Sequence, residues 1–346
     1  PSHWRVAFQS YIENRDNAAA LLREHLEKFP AHSTAGAALY FLARDAERNQ
    51  RFPAAAAFYA HIAKRLPNTY YAVLARDRLS VPELKNAGES PETSEFLLSV
   101  ALPQAKAVPA EATAATSARV ARSRLLRTAG LNDLADSELR FGARTDGQPP
   151  LLAMEMAGSA DAPYQGLRDM KAMNSDYLNL PLASAPDKFW RLLFPMPFHD
   201  ALIESARARG LDPFLVAGLI RQESEFNPQA LSRANAYGLT QVRPVTGREY
   251  ARRAGVAGFT NRILFEPAAN LKIGTTVLRS MLDQNSGSLE QTLAAYNAGP
   301  ARAAEWRAWS TYREPAEFVE AIPFTETREY VQAVLRNADI YRRLYR

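Results

Sequence analysis

The stretch LDPFLVAGLIRQESEFNPQALSRANAYGLTQ, Leu211 to Gln241, decides how the rest of the chain is read. Asp212-Pro213 is a helix-start pair, because the Asp side chain can accept from the free amides of a first turn and Pro fits the first helical position. Phe214, Val216, Ala217, Leu219, Ile220 and Glu223 then recur at helical spacing on one side, until Asn227-Pro228 stops the pattern. Glu223 therefore extends an apolar stripe. Glu225 falls about 200° further round the helix and is expected to point away from it, with Arg221 and Gln222.

A carboxylate at the inner end of an apolar face is costly when ionised. Desolvation raises its pKa from ~4.3 toward a range where it can hold and give a proton near neutrality, which is what a general acid needs. The alternative reading pairs Glu223 with an Arg and lets it tie helices together. Three further motifs bear on the choice. The turn Gly238-Leu239-Thr240-Gln241 follows the Glu-Ser helix end. Ala295-Tyr296-Asn297-Ala298-Gly299 closes a later amphipathic helix, Leu289 to Tyr296. The segment FVEAIPFTETREYV, Phe318 to Val331, comes near the end of the chain.

In this order these motifs resemble the soluble lytic transglycosylase family over residues from about 187 to 346. The resemblance implies a lysozyme-like α catalytic domain acting on peptidoglycan glycan strands. It implies cleavage of the MurNAc-GlcNAc β-1,4 bond without water: Glu223 protonates the glycosidic oxygen while the N-acetyl group shelters the developing cation. Glu223 then takes the proton of the 6-hydroxyl, whose attack closes a 1,6-anhydro ring. Ser224 is expected to hold the N-acetyl group or the acid, Tyr296 to hold the acid, and Gln241 to meet a sugar hydroxyl or amide. By the same resemblance Glu320 faces the cleft and Thr246 lies near it, although Thr after Pro also reads as a helix cap. Glu266-Pro267 and Asn270 are expected to be scaffold, and Glu326 and Arg328 to form a structural ion-pair network.

The chain departs from the family at two places. Thr240 stands where Met is usual, so a hydroxyl replaces a flexible thioether expected over a sugar face. Asn235-Ala236-Tyr237 replaces small residues, so Tyr237 either extends the cleft wall or shields the loop.

The chain has 346 residues, 47% of them hydrophobic, enough for two or three domains with a substantial core. Its net charge of +5 suits an anionic partner such as cell-wall peptide stems. A nucleic-acid partner is not expected, because no helix clusters Arg and no aromatic RNA-binding motif is present. With no Cys, disulfides and thiolate chemistry are excluded, and the last of five His is His199, so nothing beyond it can be a His triad or His-ligated metal. No cofactor or metal is called for. No apolar run approaches the ~20 residues of a membrane span. The chain begins Pro1-Ser2-His3-Trp4 and is expected to be processed or trimmed, its export signal removed, with the protein in the periplasm or cell envelope.

The predicted fold is mainly α: an N-terminal α-superhelix of helical repeats over 1–80, a linker and second helical domain over 81–186, and the lysozyme-like domain over 187–346. Phe29-Pro30 and Leu66-Pro67 each close a helix, and Ala43-Arg44-Asp45 and Ala75-Arg76-Asp77 echo each other, giving a repeat of roughly three dozen residues like those that stack into solenoids. Such repeats make a protein partner an expectation. In the family they build a ring-like frame, for which this N-terminal part is short, leaving an open arc as the alternative. Phe189, Trp190 and Phe194 read as core packing over sugar stacking. Competing functions are a hydrolytic muramidase on the same fold, with Glu320 as its only candidate base, and a non-catalytic peptidoglycan-binding scaffold.

Overall fold

The structure is a computed structural model that describes residues 2–346. The chain divides into two compact units, one comprising the residues up to Ala107 with Asp176–Ala185, the other Val108–Ser175 with Pro186–Arg346. The stretch 81–186 is thus shared between them. Among the described residues the secondary structure is helical, without a strand; isolated bridges pair Leu231 with Tyr237 and Tyr237 with Val242. The expected mainly-α fold is the observed one. Among the described residues no helix is long and apolar enough to cross a membrane.

The first unit opens with α1 (Ser2–Ile12), α2 (Ala18–Lys28), α3 (Ala35–Arg48), α4 (Phe52–Arg65) and α5 (Tyr70–Leu79), followed by the short α6 (Pro82–Lys85) and α7 (Pro91–Ser99). Each of the first five helices packs on the next in sequence. The starts of α1, α3 and α5 recur at the repeat length seen in the sequence, and Phe29 and Leu66 sit at the C-caps of α2 and α4. A pair of helices this short cannot enclose a core, so aromatic side chains bridge successive helices: Phe8 and Tyr11 of α1 meet Phe41 of α3 with ring centroids 5.2 and 4.7 Å apart. Asn68, fully buried, donates from Nδ2 to the Leu180 carbonyl at 2.7 Å and so fastens the returning segment 176–185.

The second unit begins with α8 (Ala114–Thr128), α9 (Asn132–Thr145), α10 (Pro149–Gly158) and α11 (Pro163–Met173). Leu139, Leu152 and Met156 form their buried centre. Arg119 reaches from α8 to Glu138 at 3.0 Å and to Asp146 at 2.6 Å. After Pro186 come α12 (Asp187–Leu193), α13 (His199–Arg207), α14 (Pro213–Glu223), α15 (Pro244–Ala251), α16 (Pro267–Gln284), α17 (Leu289–Ala298), α18 (Pro300–Ala308), α19 (Pro315–Ala321) and α20 (Thr325–Tyr345). Phe189, Trp190 and Phe194 are buried, as the packing reading has it.

α14 and α20 lie along each other at the centre of this part. Their approach depends on Gly218, where a Cβ would stand 2.7 Å from the Val334 carbonyl oxygen and 2.8 Å from the Ala338 nitrogen of α20. Backbone meets backbone there. α14 is consequently buried on nearly every side, including Arg221, which was expected to point away from the apolar stripe and is only 4% exposed. Its guanidinium lies 4.0 Å from the centre of the Phe194 ring and donates to the Leu193 carbonyl at 3.0 Å, so the charge is stacked and hydrogen-bonded within the core.

Candidate active site

α14 starts as its sequence requires. The Asp212 carboxylate accepts from the Phe214 amide at 2.9 Å, its other oxygen meets Arg342 of α20 at 2.5 Å, and Pro213 fills the first position. The helix ends sooner than the sequence pattern suggested. Glu223 is its last residue and Ser224 its cap, after which Glu225 and Phe226 both adopt positive φ, 54° and 66°. Each such non-glycine residue costs roughly 1 kcal/mol or more. The chain turns away at this point because Phe226 is driven into the core, where it is 2% exposed and packs on Tyr341.

Placing Glu223 on the final turn leaves its side chain partly exposed. One carboxyl oxygen, Oε1, accepts the phenolic proton of Tyr330, from the second turn of α20. Burial pushes the Glu223 pKa up to about 7, against the opposing pull of the Tyr330 hydrogen bond. The same burial, with the nearby Glu223 charge, pushes the Tyr330 and Tyr296 phenols upward, so both remain protonated donors. An Arg partner for Glu223, the alternative reading of the sequence, is not what its carboxyl meets.

Tyr296 does not do what was expected of it. Its hydroxyl donates to the Thr240 carbonyl at 2.7 Å, and the phenol on the acid is that of Tyr330. Ser224 is likewise turned inward. It is 6% exposed, and its hydroxyl donates to the Leu239 carbonyl at 2.8 Å. Two consecutive carbonyls of the Gly238–Gln241 turn are therefore held from behind, one by the residue after the acid and one by Tyr296.

The rest of the turn is equally committed. Thr240 is fully buried, and both its amide and its hydroxyl donate to Asn270 Oδ1, at 2.9 and 2.6 Å. Thr240, expected among the substrate-contacting residues, is turned inward here. It packs on Gly274, where an added Cβ would fall 2.2 Å from its Oγ1. Asn270 donates onward to the Tyr237 and Leu264 carbonyls at 3.0 and 2.7 Å, which makes it the scaffold residue it was read as. Gln241 uses its Nε2 on the Ala230 and Gly238 carbonyls at 3.2 and 2.9 Å, so this nitrogen closes the loop while the side chain stays partly exposed. The Tyr237 ring lies tilted against Phe265, centroids 5.1 Å apart, and packs on the core under the loop, which is the shielding role.

Glu320 is only 7% exposed on α19; it accepts from Gln332 Nε2 at 2.8 Å and lies 4.0 Å from Arg328. Of the ion-pair network expected at Glu326 and Arg328, Arg328 pairs with Glu320, and Glu326 remains exposed. Arg328 and Gln332 are one turn apart on α20, whereas Tyr330 is about 200° from Arg328 around the same helix. The two glutamates thus engage different faces of α20. Thr246 lies in the first turn of α15 and is partly exposed; the cap position belongs to Arg243, so Thr246 is not a helix cap. Among the described residues no three His, Asp or Glu side chains come together as metal ligands.

Tyr330 is the residue that sequence reasoning missed. A signal was available, because Tyr330, Val334, Asn337 and Tyr341 recur at helical spacing on the buried side of α20, the side facing α14. Glu225, expected on the far side of the same helix from the acid, lies beyond the helix end, with its carboxylate fastened to α11 by Arg168 Nε at 2.6 Å and by Lys171 Nζ at 2.6 Å. Those cations hold its pKa below the usual carboxylate value although burial works the other way.

Residues 200–319 match the family described as Transglycosylase SLT domain, and residues 321–346 match the Soluble lytic transglycosylase helical domain. The soluble lytic murein transglycosylase of Escherichia coli strain K12 is 33% identical over 177 residues, which are 49% of this chain and 27% of that protein. A putative soluble lytic murein transglycosylase of Haemophilus influenzae is 32% identical over 169 residues, 47% of this chain and 28% of that protein. The X-ray structure of an inactive mutant of the lytic transglycosylase Slt from Pseudomonas aeruginosa superposes on 99% of this chain and 51% of that one, with 27% identity and a TM-score of 0.71. The Escherichia coli soluble lytic transglycosylase covers 95% of this chain and 52% of that one at 22% identity, with a TM-score of 0.59, a likeness of fold. The chain thus spans about half the length of these solved relatives, and its matched segment about a quarter of the curated ones. Residues 200–319 form a Transglycosylase SLT domain, and the chain is homologous to the soluble lytic murein transglycosylases.

Proposed function

We propose that this chain is a lytic transglycosylase that cleaves the MurNAc-GlcNAc β-1,4 bond of peptidoglycan and leaves 1,6-anhydro-MurNAc ends, with residues 187–346 as its catalytic domain. The observation that carries the reading is the Glu223 carboxyl at the end of a buried helix, its pKa raised to about 7 and one oxygen held by Tyr330. At neutral pH a large share of the groups is protonated, and the rest can act as base, so one residue can serve both halves of the reaction.

Because Oε1 accepts from Tyr330, the transferable proton belongs on Oε2, the oxygen left for the glycosidic oxygen. Its transfer breaks the bond to the leaving GlcNAc hydroxyl. The carbonyl oxygen of the MurNAc N-acetyl group offsets the positive charge that develops at the anomeric carbon. The resulting Glu223 carboxylate then removes the proton of the 6-hydroxyl as that oxygen bonds to the anomeric carbon. No water is consumed, and Glu223 ends protonated as it began.

A hydrolytic route needs a second carboxylate placed to activate water on the opposite face of the sugar. Glu320, the one candidate from the sequence, engages the other face of α20, which supports the single-acid route. Ser224, Tyr296, Thr240 and Gln241 support the acid indirectly by fixing the turn beside it, and Thr246 and Glu320 remain candidates for glycan contact. A wall substrate places the working enzyme in the periplasm or envelope. The stacked helices of the first unit offer a surface suited to a protein partner, testable by crosslinking the intact chain in envelope preparations with and without substitutions on that surface.

The deciding experiment is mass spectrometry of the soluble products released from purified peptidoglycan. Products one water lighter than hydrolytic muropeptides are expected. Reducing-end products would replace the reading by a muramidase, and binding without release by the scaffold. Glu223→Gln is expected to reduce turnover by about 10²–10⁴-fold with glycan binding retained; turnover near wild type would remove Glu223 from the chemistry.

A further inference from the structure

Immediately after Glu223 the chain passes through three residues that are each fastened to something different. Ser224 is tied to the Leu239 carbonyl, Phe226 is sunk among core side chains beside Tyr341, and Glu225, between them, is gripped by α11. The grip is two-handed: Arg168 takes Oε2 and Lys171 takes Oε1, each at 2.6 Å. Arg168 and Lys171 lie three residues apart on one side of α11, and the Arg168 guanidinium also sits 5.6 Å from the centre of the Tyr164 ring. The acceptor carboxylate is 20% exposed, while the two cations are 58% and 42% exposed.

Nothing in the proposed chemistry uses this cluster, yet it bears on the one backbone segment that sets the direction of the acid. Glu225 and Phe226 occupy the left-handed region in succession, without the glycine or asparagine that tolerates it most easily. Left to itself, such a turn would relax toward ordinary helical or extended angles and rotate the last residue of α14 with it. A side chain held at both carboxylate oxygens cannot follow that rotation.

We propose that the Arg168–Lys171 grip on Glu225 is a positioning device for Glu223: it holds the left-handed turn that ends α14, and so fixes the acid's carboxyl between Tyr330 and the substrate. Glu225 is on this account a positioning residue, and α11, a helix of the segment preceding the lysozyme-like part, becomes part of the catalytic machinery. The inference rests on the lytic reading of Glu223 for its catalytic consequence, though not for its structural one.

The test compares the full chain with Glu225→Gln, with the double substitution Arg168→Gln/Lys171→Gln, whose exposed side chains can change with little risk to folding, and with all three combined. Each is checked for unchanged helicity at the assay temperature. Glu225→Gln is expected to lower kcat roughly tenfold, since displacements of about 1 Å near reacting groups carry penalties of that order or larger, and to leave KM unchanged. The Arg168→Gln/Lys171→Gln variant should reproduce that loss, and the triple variant should add nothing to it. The titration midpoint of Glu223, followed by NMR on chain labelled at glutamate, should fall from about 7 toward that of an exposed carboxyl as the loosened turn admits water. A folded Glu225→Gln chain with wild-type kcat and an unmoved midpoint would overturn the proposal, as would losses that multiply in the triple variant. A wild-type chain that releases no products would refute the lytic reading by itself, and the Glu223 titration would then decide the positioning claim alone.

Discussion

Glu223 and Tyr330 meet at a single hydrogen bond, and what each side chain contributes can be separated by pH. The Tyr330 donor stabilises the charged carboxylate and so holds the Glu223 pKa below where burial alone would put it. Tyr330→Phe keeps the packing and removes the donor, so the pKa must rise above about 7. The alkaline limb of the kcat profile, which marks loss of the acid's proton, is expected to move to higher pH. Maximal kcat should fall by roughly tenfold because the carboxyl loses its fixed orientation. A pH-rate profile superimposable on wild type would show that the phenol does not govern the acid. At this scale the sequence was informative about Glu223, because helical spacing puts it on the apolar stripe whatever the rest of the chain does. It was silent about which phenol reaches the acid. Tyr296 and Tyr330 both sit on amphipathic helices, and only the packing of α20 on α14 brings one of them to Glu223 while Tyr296 is spent on the turn.

The arrangement of α14 against α20 is what makes that contact, and it is set by an absent side chain. Gly218→Ala tests two opposing effects. Replacing glycine inside a helix gains roughly 0.5–1 kcal/mol of backbone entropy. The new Cβ would lie 2.7 and 2.8 Å from backbone atoms of α20, which cannot swing aside as a side chain end can. Overpacking of this kind costs roughly 1–3 kcal/mol, so a net loss of stability is expected, seen as a lower midpoint of urea unfolding with an unchanged slope. A higher midpoint would mean that the helices separate at no cost and that their closeness is incidental. Most helices were legible, since Pro at the starts and apolar periodicity are local signals. The end of α14 was not. Nothing in Glu225-Phe226 marks a left-handed turn, because the causes are distant: a core site for Phe226 and a pair of cations on α11. The buried Thr240 misled for a similar reason, as its partner Asn270 is 30 residues away.

Across the whole molecule, two buried histidines of the first unit and Glu223 of the second respond to pH in opposite directions. In the first unit burial lowers the pKa of His25 and of His61 from 6.5 to about 4. Between those values the unfolded chain binds more protons than the folded one, so this unit loses stability as pH falls from about 6.5 toward 4. In the second unit the Glu223 pKa is raised from 4.5 to about 7. There the folded chain binds the extra proton, so the contribution of this group is fully present below 4.5 and is lost as pH rises through 7. The loss is at most about 3 kcal/mol, because a shift of one unit is worth 1.36 kcal/mol and partial exposure screens the charge. No reading of composition could separate these effects, since the net charge of +5 says nothing about which side chains are desolvated. Glu223→Gln isolates the second one, as it keeps the shape and cannot ionise. In thermal unfolding the variant should match wild type at pH 4 and exceed it increasingly up to pH 8, with no further gap beyond. Parallel curves for the two proteins across that range would mean that Glu223 ionises freely in the folded chain. A carboxyl that ionises freely would be no store for the proton the cleavage requires, so this stability measurement, made without any substrate, tests the catalytic assignment from the opposite side.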